Sequence, residues 1–284
     1  MPTNKALSAF LTARRAAITP AQAGVPVTGP RRVPGLRREE VAFLSGVSVD
    51  WYVRLEQGRQ ITPSESVLNA VARTLKLDDA ERGYLFNLAG HRPAHGPRVA
   101  SGAGVRPGVV RMMQALSTQA AFVLGPRAEV LDGNSLMWAL IHDFPAEPAH
   151  RRNLLTWLLT DPAARELYLD WAVIASDMVG VLQLESSARP GDPRIAALVG
   201  ELATASREFR TWWAEPHPTG RTAGTKRFRH PVAGPLTVDW EAFPLPDDAT
   251  QTLFVYTAAD PASQEAMAFL ARWRAGEIAP TAGS

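Results

Sequence analysis

The twenty residues Glu39-Glu40-Val41-Ala42-Phe43-Leu44-Ser45-Gly46-Val47-Ser48-Val49-Asp50-Trp51-Tyr52-Val53-Arg54-Leu55-Glu56-Gln57-Gly58 restrict the fold more than any other stretch, because several local rules agree there. Two short helical patterns, residues 37–45 and 49–57, flank Gly46-Val47-Ser48. Small Ala42 permits close helix approach, and Gly46 suits the positive φ of a tight turn. The Ser48 hydroxyl is placed to cap the second helix. Val47, Tyr52 and Leu55 are expected to bury between the helices, leaving Val49, Asp50, Val53 and Arg54 outward. This is the grammar of a helix-turn-helix, whose second helix enters a DNA major groove. An ordinary αα-hairpin inside a helical domain is the alternative.

The flanks read as further short helices. Leu7, Phe10, Leu11 and Ala17 line one side of a first helix that carries Arg14 and Arg15 near its end. A Pro/Gly-rich insertion follows, with Arg31 and Arg32. Thr62-Pro63-Ser64-Glu65 fits a capping box with proline at the first helical position, opening a helix through Val67, Leu68, Val71, Ala72 and Leu75. Asp78 with Glu81 caps a fifth helix ending near Gly90. Arg31, Arg32, Arg37, Arg38 and Arg59 make a basic rim suited to phosphates. Arg54 is the candidate for bidentate reading of a guanine edge. Asp50 either accepts from a cytosine amino group or favours the helix N-terminus.

Residues 7–90 resemble the helix-turn-helix domain of the xenobiotic-response-element (XRE) type of bacterial regulators. The segments carrying the likeness are Arg31-Arg32-Val33-Pro34-Gly35-Leu36-Arg37-Arg38-Glu39-Glu40-Val41-Ala42 and Asp50-Trp51-Tyr52-Val53-Arg54-Leu55-Glu56-Gln57-Gly58-Arg59. The resemblance implies that Arg38 holds phosphate and caps against the backbone. It also implies that Glu56 pairs with a first-helix arginine, Arg14 or Arg15. The long insertion between the first and second helices departs from the shortest members of that family.

Charge supports a division of labour. The net charge of +2 splits into +6 over residues 1–98 and −4 over residues 99–284. The sign changes at His91-Arg92-Pro93-Ala94-His95-Gly96-Pro97 and Ser101-Gly102-Ala103-Gly104, which read as a linker. The absence of cysteine excludes a disulfide scaffold, a thiolate zinc site, a cysteine nucleophile and a thiol switch. The uncharged stretch 112–126, which no other exceeds in length, is too short to span a bilayer. No basic-then-apolar signal segment opens the chain, so a soluble cytoplasmic protein is expected.

Beyond the linker the pattern is mixed. Residues 120–124 and 128–131 read as strands and a helix starts from Asn134. Helix starts at Asp161-Pro162, Asp192-Pro193 and Ser206 follow. Residues 225–230, 236–240 and 252–257 read as further strands, and Asp260-Pro261 opens a closing helix. Strands at both ends with helices between indicate α+β. No catalytic constellation or phosphate loop stands out. His91 and His95 have a metal-like spacing that Pro93 interrupts, so no metal is expected. Seven of the eight tryptophans lie here, as packing or as the walls of an apolar site.

Asp161-Pro162-Ala163-Ala164-Arg165-Glu166-Leu167-Tyr168 with Trp171, Ser206-Arg207-Glu208-Phe209-Arg210-Thr211-Trp212-Trp213 and Gly224-Thr225-Lys226-Arg227-Phe228-Arg229-His230-Pro231 resemble the MmyB-like regulator ligand-binding domain. That resemblance implies a PAS-like fold, an antiparallel sheet with helices enclosing a pocket, and a fatty-acid-like effector. Within the matching motifs Arg210 and His230 are candidate polar anchors, with Asn134 a third. A guanidinium holds a carboxylate through two parallel hydrogen bonds. The competing roles are an Arg210 pair with Glu208 or Glu215 and a strand cap for His230. Trp138, Trp157, Phe209, Trp212 and Phe254 are candidate walls, or simply core.

The expected architecture is an all-α, five-helix domain over residues 1–92, a linker over 93–104 and an α+β PAS-like domain over 105–284. The expected function is a sequence-specific transcriptional regulator, not an enzyme. It binds a palindromic double-stranded operator as a homodimer and takes a lipophilic effector, with no cofactor besides that bound molecule. The alternatives are a C-terminal domain that only dimerises or contacts protein, and a DNA-tethered small-molecule enzyme.

Overall fold

The computed structural model describes residues 4–26, 31, 33–59, 61–91, 104–246 and 248–276. Arg32 and linker residues 93–103 lie outside the described residues. Helix α1 (Lys5–Ala17) starts on Asn4, whose side chain accepts from the Leu7 N–H at 3.0 Å. Leu7, Phe10 and Leu11 are buried as expected. Ala17 is exposed, because the apolar stripe runs out before the last residue of the helix.

Helix α2 (Arg38–Leu44) and α3 (Val49–Glu56) follow. Between them Gly46 has φ +68°, and the Ser48 hydroxyl accepts from the Trp51 N–H at 3.2 Å, as the turn grammar requires. Helix α4 (Glu65–Thr74) differs from its expected start. Its cap is Ser64, which accepts from the Val67 N–H three residues on, so Pro63 stands outside the helix and not at its first position. Helix α5 (Asp79–Leu88) has the expected capping box: the Glu81 N–H reaches Asp78 at 2.8 Å and the Asp78 N–H reaches Glu81 at 3.1 Å. Leu36, Val41, Ala42, Tyr52, Leu68 and Leu85 join the α1 residues in one core.

The later elements are α6 (Pro107–Ala115), β1 (Ala120–Leu124), β2 (Val130–Gly133), α7 (Ser135–Leu140), α8 (Leu154–Thr160), α9 (Pro162–Leu167), α10 (Trp171–Ala188), α11 (Pro193–Ala205), α12 (Arg207–Ala214), β3 (Ala223–His230), β4 (Gly234–Leu245), β5 (Asp248–Ala258) and α13 (Pro261–Arg274). The second strand begins two residues later than expected, because Ala128 (φ +61°) still belongs to the turn. The five strands form one antiparallel sheet in the order β2-β1-β5-β4-β3, the PAS-like arrangement.

Strand alternation gives this sheet two different faces. Ala121, Val123 and Leu253 pack with Val109 and Met113 of α6. On the other face, register aligns Trp240 with Tyr256 and Ala120, and Ala242 with Phe254 and Phe122. Lys226 stands opposite Val238, and Phe228 opposite Leu236, on that same face.

Two compact units emerge from proximity: residues 1–95, 179–197 and 207–220 in one, and 96–178, 198–206 and 221–284 in the other. The helical unit therefore includes segments beyond the 93–104 linker. Leu184 packs against its core, and the Asn87 amide donates to the Ser187 hydroxyl at 3.1 Å.

Candidate functional site

The helical unit holds two buried carboxylates, Glu56 and Glu81. Glu56, 1% exposed, accepts from Arg15 Nε at 2.7 Å, Arg15 Nη2 at 3.1 Å and Arg38 Nε at 2.9 Å. Desolvation pushes the Glu56 pKa up, but the Arg15 and Arg38 hydrogen bonds and charges outweigh it and hold the carboxyl below its ordinary value. Arg15 Nη1 also donates to the Leu36 carbonyl at 2.9 Å, tying the end of the insertion to α1. The first-helix partner of Glu56 is thus Arg15. Arg14 pairs instead with Glu81 at 2.6 Å and contacts His217 Nδ1 at 3.0 Å.

This arrangement leaves one side of α3 to solvent. Val49 is 48% exposed, Val53 is half-buried, and Asp50 and Arg54 form an exposed pair at 3.1 Å. Such a surface pair is weak enough to be exchanged for a base edge. Ser48 is exposed beside them and spends its hydroxyl on the helix cap. Around this face stand Arg37, loosely paired with Glu39 at 3.5 Å, and exposed Arg59. Arg38, 48% exposed, keeps a solvent-facing edge while bound to Glu56.

Arg31 departs from the expected rim. Its guanidinium grips Glu40 through two hydrogen bonds of 2.7 Å and donates to the Gly35 carbonyl at 3.0 Å, with only 15% of the side chain exposed. Glu40 in turn accepts from the Arg37 N–H at 2.7 Å, so Arg31 secures the N-terminus of α2 and is not a free phosphate contact.

The candidate ligand residues are shared between the two units. Phe209, Arg210 and Trp212 lie on α12, within the helical unit, whereas Asn134, Trp138, Trp157, His230 and Phe254 belong to the α+β unit. Asn134 is a structural hub. Its amide nitrogen faces the carbonyls of Met113, Leu116 and Gln119 at 3.3, 3.1 and 2.8 Å, and its oxygen accepts from the Ala121 and Met137 N–H groups. That saturation leaves nothing for a ligand.

His230 is likewise committed. Its Nδ1 accepts from the Val232 and Ala233 N–H groups at 3.1 Å, and its Nε2 donates to the Ala139 carbonyl at 2.9 Å. Burial lowers its pKa, with the Ala139 bond opposing, so the ring sits neutral as a turn cap and not as a cationic anchor.

What the α+β unit does bring together is an aromatic cluster, with Phe122 and Tyr256 buried and Trp240 and Phe254 half-buried. Phe122 contacts Phe254 and Tyr256 at ring separations of 5.4 and 5.8 Å, and Trp240 contacts Phe254 at 5.9 Å. A second chain runs from Trp138 through Phe144 and Trp157 to Tyr168 and Phe228. Gly224 allows the Trp240 indole to lie over β3, since a Cβ there would stand 3.0 Å from its Nε1.

The polar group that sequence reasoning missed is Lys226. Its ammonium donates to the Tyr256 hydroxyl and lies 5.0 Å from the Trp240 ring centre and 4.6 Å from that of Tyr256. Desolvation lowers its pKa to about 7, with the Asp177 charge opposing. The available signal was alternation: Thr225, Arg227 and Arg229 share one face of β3, and Lys226, Phe228 and His230 the other.

Among the described residues no cluster of three or more His, Asp or Glu could hold a metal. No described helix is long and apolar enough to cross a membrane. Residues 6–85 match a helix-turn-helix domain, and residues 105–272 match the MmyB-like transcription regulator ligand binding domain. No curated protein matches the chain. A cradled α3 with one side open and a sheet of PAS-like order agree with both matches, and the chain belongs to the MmyB-like family, as a DNA-binding transcription regulator with a ligand-binding domain.

Proposed function

We propose that the protein binds a palindromic operator as a homodimer and that a lipophilic, fatty-acid-like effector, taken by the α+β unit, changes its affinity for that operator. The observation that carries the DNA part is the solvent-facing side of α3, with Val49, Asp50, Val53 and Arg54 framed by Arg37, Arg38 and Arg59. A groove-reading helix with phosphate contacts at its edges needs this layout. The half-buried aromatics Trp240 and Phe254, packed on buried Phe122, support the effector part, since apolar ligands are held by aromatic side chains with few polar groups. An effector acts only through unequal affinity for two states of the regulator.

The test is a gel-shift titration of the full chain on its own promoter region at two salt concentrations, with and without dodecanoate. Salt-dependent binding whose midpoint moves with dodecanoate is the expected result. Absence of salt-dependent binding sinks the operator reading. Native mass spectrometry of the purified chain checks dimerisation and co-purifying amphiphiles in one experiment. A monomer carrying no small molecule overturns both of those claims.

A further inference from the structure

Among the described residues, Lys226 has no carboxylate within ion-pair distance, although desolvation of its ammonium is marked. Of three N–H donors, one is used on the Tyr256 hydroxyl, and the rings of Trp240 and Tyr256 flank the rest. Cation–π attraction offsets part of the cost of taking a charge from water but supplies no hydrogen-bond acceptor. A donor elsewhere in the same unit has no partner: the buried Trp157 indole N–H has no acceptor among the described residues. Trp157 is linked to β3 by ring contacts through Tyr168 to Phe228, two residues along from Lys226. The opposing charge that acts on Lys226 is that of Asp177 on α10, which pairs with Arg221 at 3.4 Å. Among the described residues the unit thus carries a cation without a paired anion and, separately, an indole N–H without an acceptor.

We propose that Lys226, held between Trp240 and Tyr256, is the anchor for a monoanionic head group, a carboxylate, on an apolar effector. This rests on the effector reading above and deepens it by naming the anchor. Binding forms a charge-assisted hydrogen bond from Nζ to a carboxylate oxygen, while the aromatic surface covers the apolar body. A single ammonium among rings suits a monoanion. A phosphate dianion calls for arginine forks or several main-chain donors, which the face around Lys226 does not present.

The test is isothermal titration of the full chain with dodecanoate against dodecanol and naphthoate against naphthalenemethanol. Wild type is expected to bind each carboxylate about tenfold more tightly than its alcohol, the size of one charge-assisted hydrogen bond. Lys226→Met removes that preference while alcohol binding persists, and Lys226→Arg keeps a preference. Saturating inorganic phosphate leaves dodecanoate binding unchanged, and competition by phosphate overturns the carboxylate assignment. A measurement without any variant runs beside these: dodecanoate protects Lys226 from acetic anhydride, read by peptide mass spectrometry. Equal wild-type affinity for dodecanoate and dodecanol overturns the anchor and leaves the lipophilic effector standing. Binding of naphthoate without either dodecyl probe, with the preference over its alcohol intact, removes the fatty-acid reading and keeps the anchor. If none of the probes binds, both fall.

Discussion

Glu56 in the helical unit is fully buried and Lys226 in the sheet is half-buried, and the surroundings treat the two charges oppositely. Glu56 has two arginines, with five-donor forks that meet both its oxygens, so its charged form is the favoured one. Lys226 has a neutral hydroxyl and two ring faces, so its charged form is the disfavoured one. A buried charge alone therefore says nothing about function; the inventory of its partners does. A saturated network holds helices together, whereas an unsaturated donor on an apolar surface is the mark of a ligand contact.

The largest expected effect tests this contrast. Glu56→Gln leaves Arg15 facing an uncharged amide inside the core and should lower stability by about 3 kcal/mol, the lower range for breaking a buried pair because Arg38 is half-exposed. Hydrogen exchange of the α1 and α3 amides in urea is the measurement, since it reports local opening of that unit. Lys226→Met should change stability by less than about 1 kcal/mol, or raise it, because it removes an unpaired charge. Equal losses from the two substitutions break the comparison.

The pH dependence has opposite sign at the two sites. The folded-state pKa of Glu56 lies below its ordinary 4.5, so its contribution is whole above that value and is lost as pH falls through the folded pKa. The folded-state pKa of Lys226 lies at about 7, below its ordinary 10.5, so the penalty for burying the ammonium is present below 7 and disappears as pH rises toward 10.5. Wild type should therefore lose its advantage over Glu56→Gln in acid and gain on Lys226→Met in base. Unfolding midpoints of the three proteins across pH give the answer.

Asn134→Ala should cost about 2–3 kcal/mol, since it orphans several buried carbonyls and N–H groups where α6, β1 and α7 meet. Its carboxylate preference should match that of wild type at any temperature where it is folded. A selective loss of carboxylate binding with stability unchanged would return Asn134 to the ligand.

Much of this was legible locally. Ser48, Asp78, Asp161 and Asp260 each announce a helix by a cap that depends only on the next three residues. Alternation along 225–230 gives a strand whose inner and outer residues can be read directly. Asn134 was legible as a helix cap but not as a hub, because its other partners come from residues 113, 116, 119 and 121 and meet only in the fold. The choice between Arg14 and Arg15 needed the helix packing: neighbours on a helix point about 100° apart, and each found its own glutamate. Helix α6 has one local signal, Pro107 at its first position, beside a linker-like run.

On the open side of α3, proposed above to read DNA, Arg54→Ala should lose about 1–3 kcal/mol of discrimination between operator and mutated operator, with stability nearly unchanged because its pair with Asp50 is exposed. The finest version of the contrast sets Arg31 against Arg37, two arginines six residues apart. Arg37 is 43% exposed with a distant glutamate, so its guanidinium is available to a phosphate. Arg31 is 15% exposed, and Glu40 already meets both of its terminal nitrogens. Arg37→Ala should reduce the slope of log affinity against log salt by about 0.9, the release from one phosphate contact. Arg31→Ala should leave that slope as it is and instead loosen the start of α2, seen as faster exchange of its first amides. If Arg31→Ala flattens the slope while those amides stay protected, then Arg31 leaves Glu40 for the duplex, and partner inventory in the free protein is no guide to which arginines bind DNA.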